Sequence, residues 1–172
     1  RQTACFMLPE QGIVLDAGTG MYRVRDLLTT KELDIFLSHA HLDHIVGLTF
    51  LFDILWEKDV EQVRVHGDAS KLQAIEKHLF SEPLFPVLPP LSWHPLGESV
   101  ELAGGGKLTH FPLKHPGGSL GFRLDWPDHS LAYVTDTTAT DDADYLENIS
   151  GVDLLLHECY FPDGWEDKAE LT

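Results

Sequence analysis

At 172 residues the chain is long enough for one domain, residues 1–172, burying roughly two-thirds of its unfolded surface, and 43% hydrophobic with 23% charged residues excludes a disordered or fibrous protein. Twenty-eight acidic against twelve basic residues give a formal charge of −16, which repels long polyanions unless a metal or a local basic patch overrides it. The longest apolar run, Ile45 to Trp56, is broken by Gly47, Thr49 and Asp53 and is too short to span a membrane.

No targeting segment is visible, and Arg1 to Leu8 starts inside what reads as a strand, so truncation of the natural beginning is expected. Ala4–Leu8 and Gly12–Asp16 flank Pro9-Glu10-Gln11 as a hairpin of two buried strands. The second ends in Asp16-Ala17-Gly18-Thr19-Gly20, where glycines allow a sharp turn and a close backbone approach. A phosphate loop is set aside, because no Gly-Lys-Ser/Thr follows. Met21–Lys31 reads as a short helix and Leu33–Leu37 as a strand that delivers the chain to Ser38-His39-Ala40-His41-Leu42-Asp43-His44.

Three histidines and an aspartate within six positions read as half of a metal site, since imidazole and carboxylate suit zinc, manganese or iron. The following segment, with Ile45, Val46, Leu48, Leu51, Phe52 and Leu55, is apolar nearly all round and predicts a helix packed between layers. Val63–His66 is a strand, and Ser70 to Gln73 has the form of a capping box for a helix carrying Leu72, Ile75 and Leu79. Five prolines (Pro83, Pro86, Pro89, Pro90 and Pro95) predict an irregular loop over Ser81–Pro95.

From Ser99 the pattern becomes an antiparallel meander: Ser99–Leu102, a Gly104-Gly105-Gly106 turn, Lys107–Leu113, Leu120–Asp125 and Ser130–Thr135. His115 lies between two of these strands, and Asp136 follows the last. A helix-like segment Asp141–Ile149 leads to a final strand Val152–Leu156 that runs into His157-Glu158. Cys5 and Cys159 read as buried thiols rather than a bridge, which suits a reducing compartment, the cytoplasm. His66, His78, His94, His110 and His129 have no donor-rich neighbourhood and read as structural or surface residues, as do Lys114 and Arg123.

A His-x-His-x-Asp-His run after one strand, a His after another, an Asp after a third and His-Glu after a fourth resembles the metallo-β-lactamase superfamily over nearly the whole chain. Asp16-Ala17-Gly18-Thr19-Gly20 matches its aspartate-glycine motif. Ser119-Leu120-Gly121-Phe122-Arg123, Asp136-Thr137 and Leu156-His157-Glu158-Cys159 look most like the ribonuclease Z group, which usually has His-Glu-Ala-Thr where this chain has His157-Glu158-Cys159-Tyr160. The resemblance implies a four-layered αββα sandwich, here truncated at both ends, and two divalent ions, zinc first with manganese or iron as alternatives. His39, His41 and His115 would take one ion, Asp43 and His44 the other, with Asp136 bridging. The family's last histidine would lie beyond Thr172; the rival reading puts His157 in that place.

The implied function is a dinuclear zinc phosphodiesterase in which a shared, metal-bridging water is lowered in pKa from about 16 to about 7. Asp43 would orient it, and His157, held by Glu158, would protonate the leaving alkoxide, a role worth roughly 10²–10⁴ in rate. Asp16 is expected to brace the ligand loop. Substrates on this reading are a small anionic, even cyclic, phosphodiester or an RNA 3′ end; no membrane partner is expected, and homodimerisation stays open. The acidic balance and His66-Gly67-Asp68, where a Gly-Pro pair is common, count against tRNA itself. Two other classes remain: a thioester or lactam hydrolase, and a non-catalytic metal-binding scaffold.

Overall fold

Two five-stranded sheets carry the ligand motifs, each within its own part of the chain. The computed structural model describes residues 2–140, 143–159, 164, 165 and 168, and contacts divide the chain into units Arg1–Leu96 and Gly97–Thr172.

In the first unit β1 (Phe6–Leu8), β2 (Ile13–Leu15), β3 (Glu32–Phe36), β4 (Gln62–Gly67) and β5 (Ser92–Pro95) lie side by side in chain order. Only the β1–β2 hairpin is antiparallel; β2 to β5 pair in parallel. Parallel strands need cover on both faces and so read as continuous apolar runs. Ile13-Val14-Leu15 is such a run, and all three are buried. Short helical segments supply the cover on one face: Met21, Val24 and Leu28, then Ile45, Leu48, Leu51 and Ile54, then Leu72, Ile75 and Phe80 join Val14, Leu33, Ile35 and Val65 in one core.

Several expectations are corrected here. The hairpin forms, but β1 is an edge strand and Phe6 is exposed. The helix expected over Met21–Lys31 is a 3-10 turn, Thr19–Arg23, plus α1 (Val24–Leu27); Leu28 is already extended at ψ 112°, ahead of the β-branched pair Thr29-Thr30. The segment after the histidine motif is not buried all round. It runs as α2 (Leu42–Ile45), a 3-10 turn and α3 (Leu51–Leu55), burying one face and leaving Phe52 and Trp56 exposed.

Ser70 is not the cap of the next helix, α4 (Ala69–Ala74). Asp68 takes that position, accepting from the Ser70 and Lys71 amides, because an aspartate at N-cap satisfies two free N–H groups at once. The proline-rich stretch also holds a strand. β5 pairs with β4 from Arg64↔Ser92 to Gly67↔Pro95, and an edge tolerates the missing N–H of Pro95.

In the second unit the order is β10-β9-β8-β7-β6. β6 (Ser99–Leu102), β7 (Gly106–Leu113), β8 (Ser119–Asp125) and β9 (Ser130–Val134) form the expected antiparallel meander, and β10 (Leu154–His157) adds parallel to β9. Of the expected helix over 141–149 only α5 (Leu146–Ile149) is helical; Asp141, Asp142 and, further on, Tyr160 lie outside the described residues. β10 starts at Leu154, after Gly151 in the left-handed region at φ 72°. There the Asp153 carboxylate accepts from the Ser130 N–H and hydroxyl at 2.8 and 2.9 Å, pinning the two strand starts together.

Both cysteines are free. Cys5 is partly buried as expected, but Cys159 is exposed. No helix among the described residues is long and apolar enough to cross a membrane.

Candidate metal centre

Asp16 sits fully buried at the end of β2, in the left-handed region at φ 57°. Aspartate tolerates that conformation, and strain of this kind persists where the surroundings over-determine it. The surroundings are the ligand loop. Asp16 Oδ1 accepts from the Ser38 amide at 2.8 Å, the Ser38 hydroxyl lies 2.8 to 2.9 Å from both carboxylate oxygens, and Oδ2 lies 2.8 Å from His44 Nδ1. The Ser38 hydroxyl is in turn 2.9 Å from His39 Nδ1.

These contacts fix tautomers. Oδ2 of Asp16 accepts, so His44 carries hydrogen on Nδ1. Ser38 donates to Asp16 and therefore accepts from His39 Nδ1–H. Both imidazoles are left with the Nε2 lone pair, the form in which a histidine binds a metal.

The same loop gathers the other donors of the motif. The His39 ring centroid is 4.5 Å from that of His41 and 4.3 Å from that of His44. A ring nitrogen of His39 lies within 4.8 Å of one on His41 and of one on His44. His39 and His44 are buried, His41 and Asp43 are exposed, and Asp43 Oδ2 is 3.6 Å from His44 Nε2. Two close backbone approaches hold the geometry. A Cβ on Gly18 would strike the Asp43 carbonyl, and one on Gly47 would strike the Gly18 carbonyl and Met21. The amides of Ala17 and Gly47 close the arrangement by donating to His44 O and Ala17 O at 2.8 and 2.7 Å.

The second unit carries the remaining motif residues. His115 is half-buried in the turn between β7 and β8, tightened by the Gly118 N–H donating to its carbonyl at 2.9 Å. The Thr138 amide donates to Lys114 O at 3.2 Å, so the segment bearing Asp136 runs beside that turn. Asp136 is the second left-handed aspartate, at φ 42°. Its amide donates to the Glu158 carboxylate, while the Glu158 amide donates to Val134 O at 2.9 Å.

His157 is held by Glu158 through the backbone rather than through the side chain. Its Nδ1 meets the Glu158 backbone oxygen at 2.6 Å, and its Nε2 meets the Tyr145 hydroxyl at 2.9 Å. Tyr145 and Ser38 are the two hydrogen-bond partners of candidate site residues that sequence reasoning passed over. Ser38 stood inside the motif as a visible signal, whereas nothing in the sequence singled out Tyr145.

Three of the histidines read as structural or surface residues have partners of that kind. His66 Nε2 is 2.8 Å from Asp34, and its ring stacks on Phe36 at 4.5 Å. His94 bonds Ser92, and His129 stacks on Trp126. Arg123 is tied to Asp125 and to the carbonyls of Asn148 and Ser150 rather than projecting freely.

The donor set fits a borderline divalent ion: imidazoles whose Nδ1 atoms meet Ser38 and Asp16 stand beside carboxylates, with no thiolate among them. Residues 12–168 match the Beta-lactamase superfamily domain, and the chain belongs to that family. Over 124 residues it is 32% identical to the ribonuclease Z of Bradyrhizobium diazoefficiens, an alignment covering 67% of this chain and 40% of that protein. Among solved structures it resembles a diphosphatase from the PhnP family, at 24% identity and TM-score 0.62 over 83% of this chain and 54% of the other. It also resembles human tRNase Z, short form, at 17% identity and TM-score 0.72 over 97% and 74%. The chain thus spans well under two-thirds of the length of the ribonuclease Z and of the diphosphatase. The two-sheet α/β architecture is that of the metallo-β-lactamase fold.

Proposed function

We propose that residues 1–172 form a single catalytic domain of a dinuclear, zinc-dependent phosphodiesterase acting on a small, even cyclic, phosphodiester or an RNA 3′ end in the reducing cytoplasm. The observation that carries the reading is the buried Asp16, which holds His39 through Ser38, and His44 directly, with both Nε2 lone pairs presented. The 32% identity to a ribonuclease Z supports phosphodiester chemistry in particular.

On this reading His39, His41 and His115 would hold one ion and Asp43 and His44 the other, with Asp136 contributing to both. Bound divalent ions supply an acidified water and charge neutralisation for in-line displacement at phosphorus. The chain's own residues do the rest. Asp43, exposed beside His44, orients the attacking water. Glu158 keeps the carboxylate of Asp136 in place by holding its amide in an otherwise unfavourable backbone conformation. His157 protonates the departing alkoxide.

A side-by-side screen of bis(p-nitrophenyl) phosphate, cyclic nucleotides, precursor tRNA, a lactam and S-lactoylglutathione tests the reading. Turnover of phosphodiesters that is lost in Asp136→Ala supports it. Turnover of only the lactam or the thioester, or activity untouched by Asp136→Ala, contradicts it.

A further inference from the structure

We infer that Thr3 is a positioning residue for Asp43: its side-chain hydroxyl donates to the Asp43 carbonyl at 2.6 Å and so anchors the one-turn helix α2 that carries Asp43 and His44. The inference rests on the proposed role of that pair as metal donors and names a group, 40 positions from Asp43 in sequence, that holds their backbone.

The hydrogens of this contact are fully assigned. A carbonyl only accepts, so the single hydroxyl hydrogen of Thr3 points at Asp43 O. The Thr3 hydroxyl oxygen then accepts the Thr19 N–H at 2.8 Å, and the Thr3 N–H donates to the Thr19 hydroxyl oxygen at 2.9 Å. Thr3 is thereby gripped at amide and hydroxyl by the first residue of the 3-10 turn that follows the Asp16 loop. The Gly18 N–H adds a further hold by donating to Ala4 O at 2.7 Å. Gly18 is what permits the approach, since a Cβ there would collide with Asp43 O, Ala4 O and the Thr3 hydroxyl at once.

Asp43 needs a donor from outside because α2 stops after one turn. In a continuing α-helix its carbonyl would meet the N–H four residues on, that of Gly47. The Gly47 N–H instead donates to Ala17 O at 2.7 Å, and the next carbonyl, of His44, accepts from the Ala17 N–H at 2.8 Å. The Thr3 hydroxyl takes the place that the Gly47 amide leaves. Asp43 and His44 are thus each tied through the backbone, and His44 is tied through its ring to Asp16 as well. The Asp43 side chain is 58% exposed, so the direction of its carboxylate depends on the backbone that Thr3 holds.

Thr3→Val removes the donor and keeps the branched shape, whereas Thr3→Ser keeps the donor. Thr19→Val is the control for stability alone, because it breaks the pairing of Thr3 with Thr19 and leaves the Thr3 hydroxyl on Asp43. Zinc affinity of the full chain, measured by chelator competition, reads the outcome without any substrate. Asp43→Ala identifies the ion that depends on Asp43. Thr3→Val should bind that ion about tenfold more weakly, the low end of what outer partners of metal ligands contribute, and the other ion as before. Thr3→Ser should restore the affinity, and Thr19→Val should keep it. Unchanged affinity in Thr3→Val, a loss spread equally over both ions, an equal loss in Thr19→Val or no recovery in Thr3→Ser overturns the inference. Asp43→Ala that holds both ions as tightly as the unaltered chain overturns instead the assignment of Asp43 to a metal, and the inference with it.

Discussion

His44 Nδ1 and Asp16 Oδ2 lie 2.8 Å apart, both nearly inaccessible to solvent, although 28 positions separate them in sequence. That contact, together with the Asp16–Ser38–His39 relay, converts a histidine-rich loop into a set of aimed donors. Asp16→Asn keeps the size but adds an amide that competes as a donor, so the tautomers of His39 and His44 are no longer imposed. Zinc affinity measured by chelator competition should fall by roughly 10- to 100-fold, with far-UV circular dichroism unchanged. Unaltered affinity would remove Asp16 from the account.

The glycines near this contact act by absence. Gly47→Ala pushes a methyl into the Gly18 carbonyl and Met21, both parts of a packed segment with little room to retreat. The expected cost is about 1–3 kcal/mol in urea unfolding, the usual penalty for overpacking. A neutral result would show that the Gly18–Asp43 region yields easily.

Asp34 links stability to pH. Burial alone would raise its carboxyl, but hydrogen bonds and charge from Arg64 and His66 outweigh that and hold it at about 2. A depressed carboxylate contributes stability that is fully present above its unfolded value of about 4 and is lost as pH falls through about 2. Asp34→Asn should therefore cost about 2 kcal/mol at pH 7 and close to nothing near pH 2. A cost that stays constant with pH would contradict this assignment.

The two thiols should separate cleanly. Burial, then the Asp16 charge, pushes Cys5 up to about 12, whereas Cys159 is exposed. A disulfide reagent at pH 8 should label one thiol in the native chain and the second only on unfolding. Rapid labelling of both would show that the β1 edge opens readily.

The candidate donor cluster was the most legible part of the sequence, because imidazole and carboxylate groups at metal-binding spacing stand out within the one loop His39 to His44, and the structure brings the rings of His39, His41 and His44 together. The strands were legible as apolar runs, and candidate ligands follow β3, β7 and β9. What escaped depends on packing and on neighbours distant in sequence. Asp68 displaced Ser70 as a cap by offering one oxygen to two amides. β5 formed at the end of a proline-rich stretch because the edge of a sheet leaves the N–H position of Pro95 unused. Asp34 and Arg64 face each other only through the register of β3 and β4. The helical segment after His44 looked apolar all round, yet its turns alternate between 3-10 and α, which rotates Phe52 and Trp56 outward.

Metal dependence of phosphodiester cleavage is the most direct test of the central claim. The metal-free chain should be titrated with zinc while bound metal and hydrolysis of bis(p-nitrophenyl) phosphate are followed together. Activity should appear with metal, saturate near two ions per chain and disappear in Asp136→Ala. Activity that is independent of metal, or a chain that stays folded, binds no zinc and cleaves nothing, would contradict it.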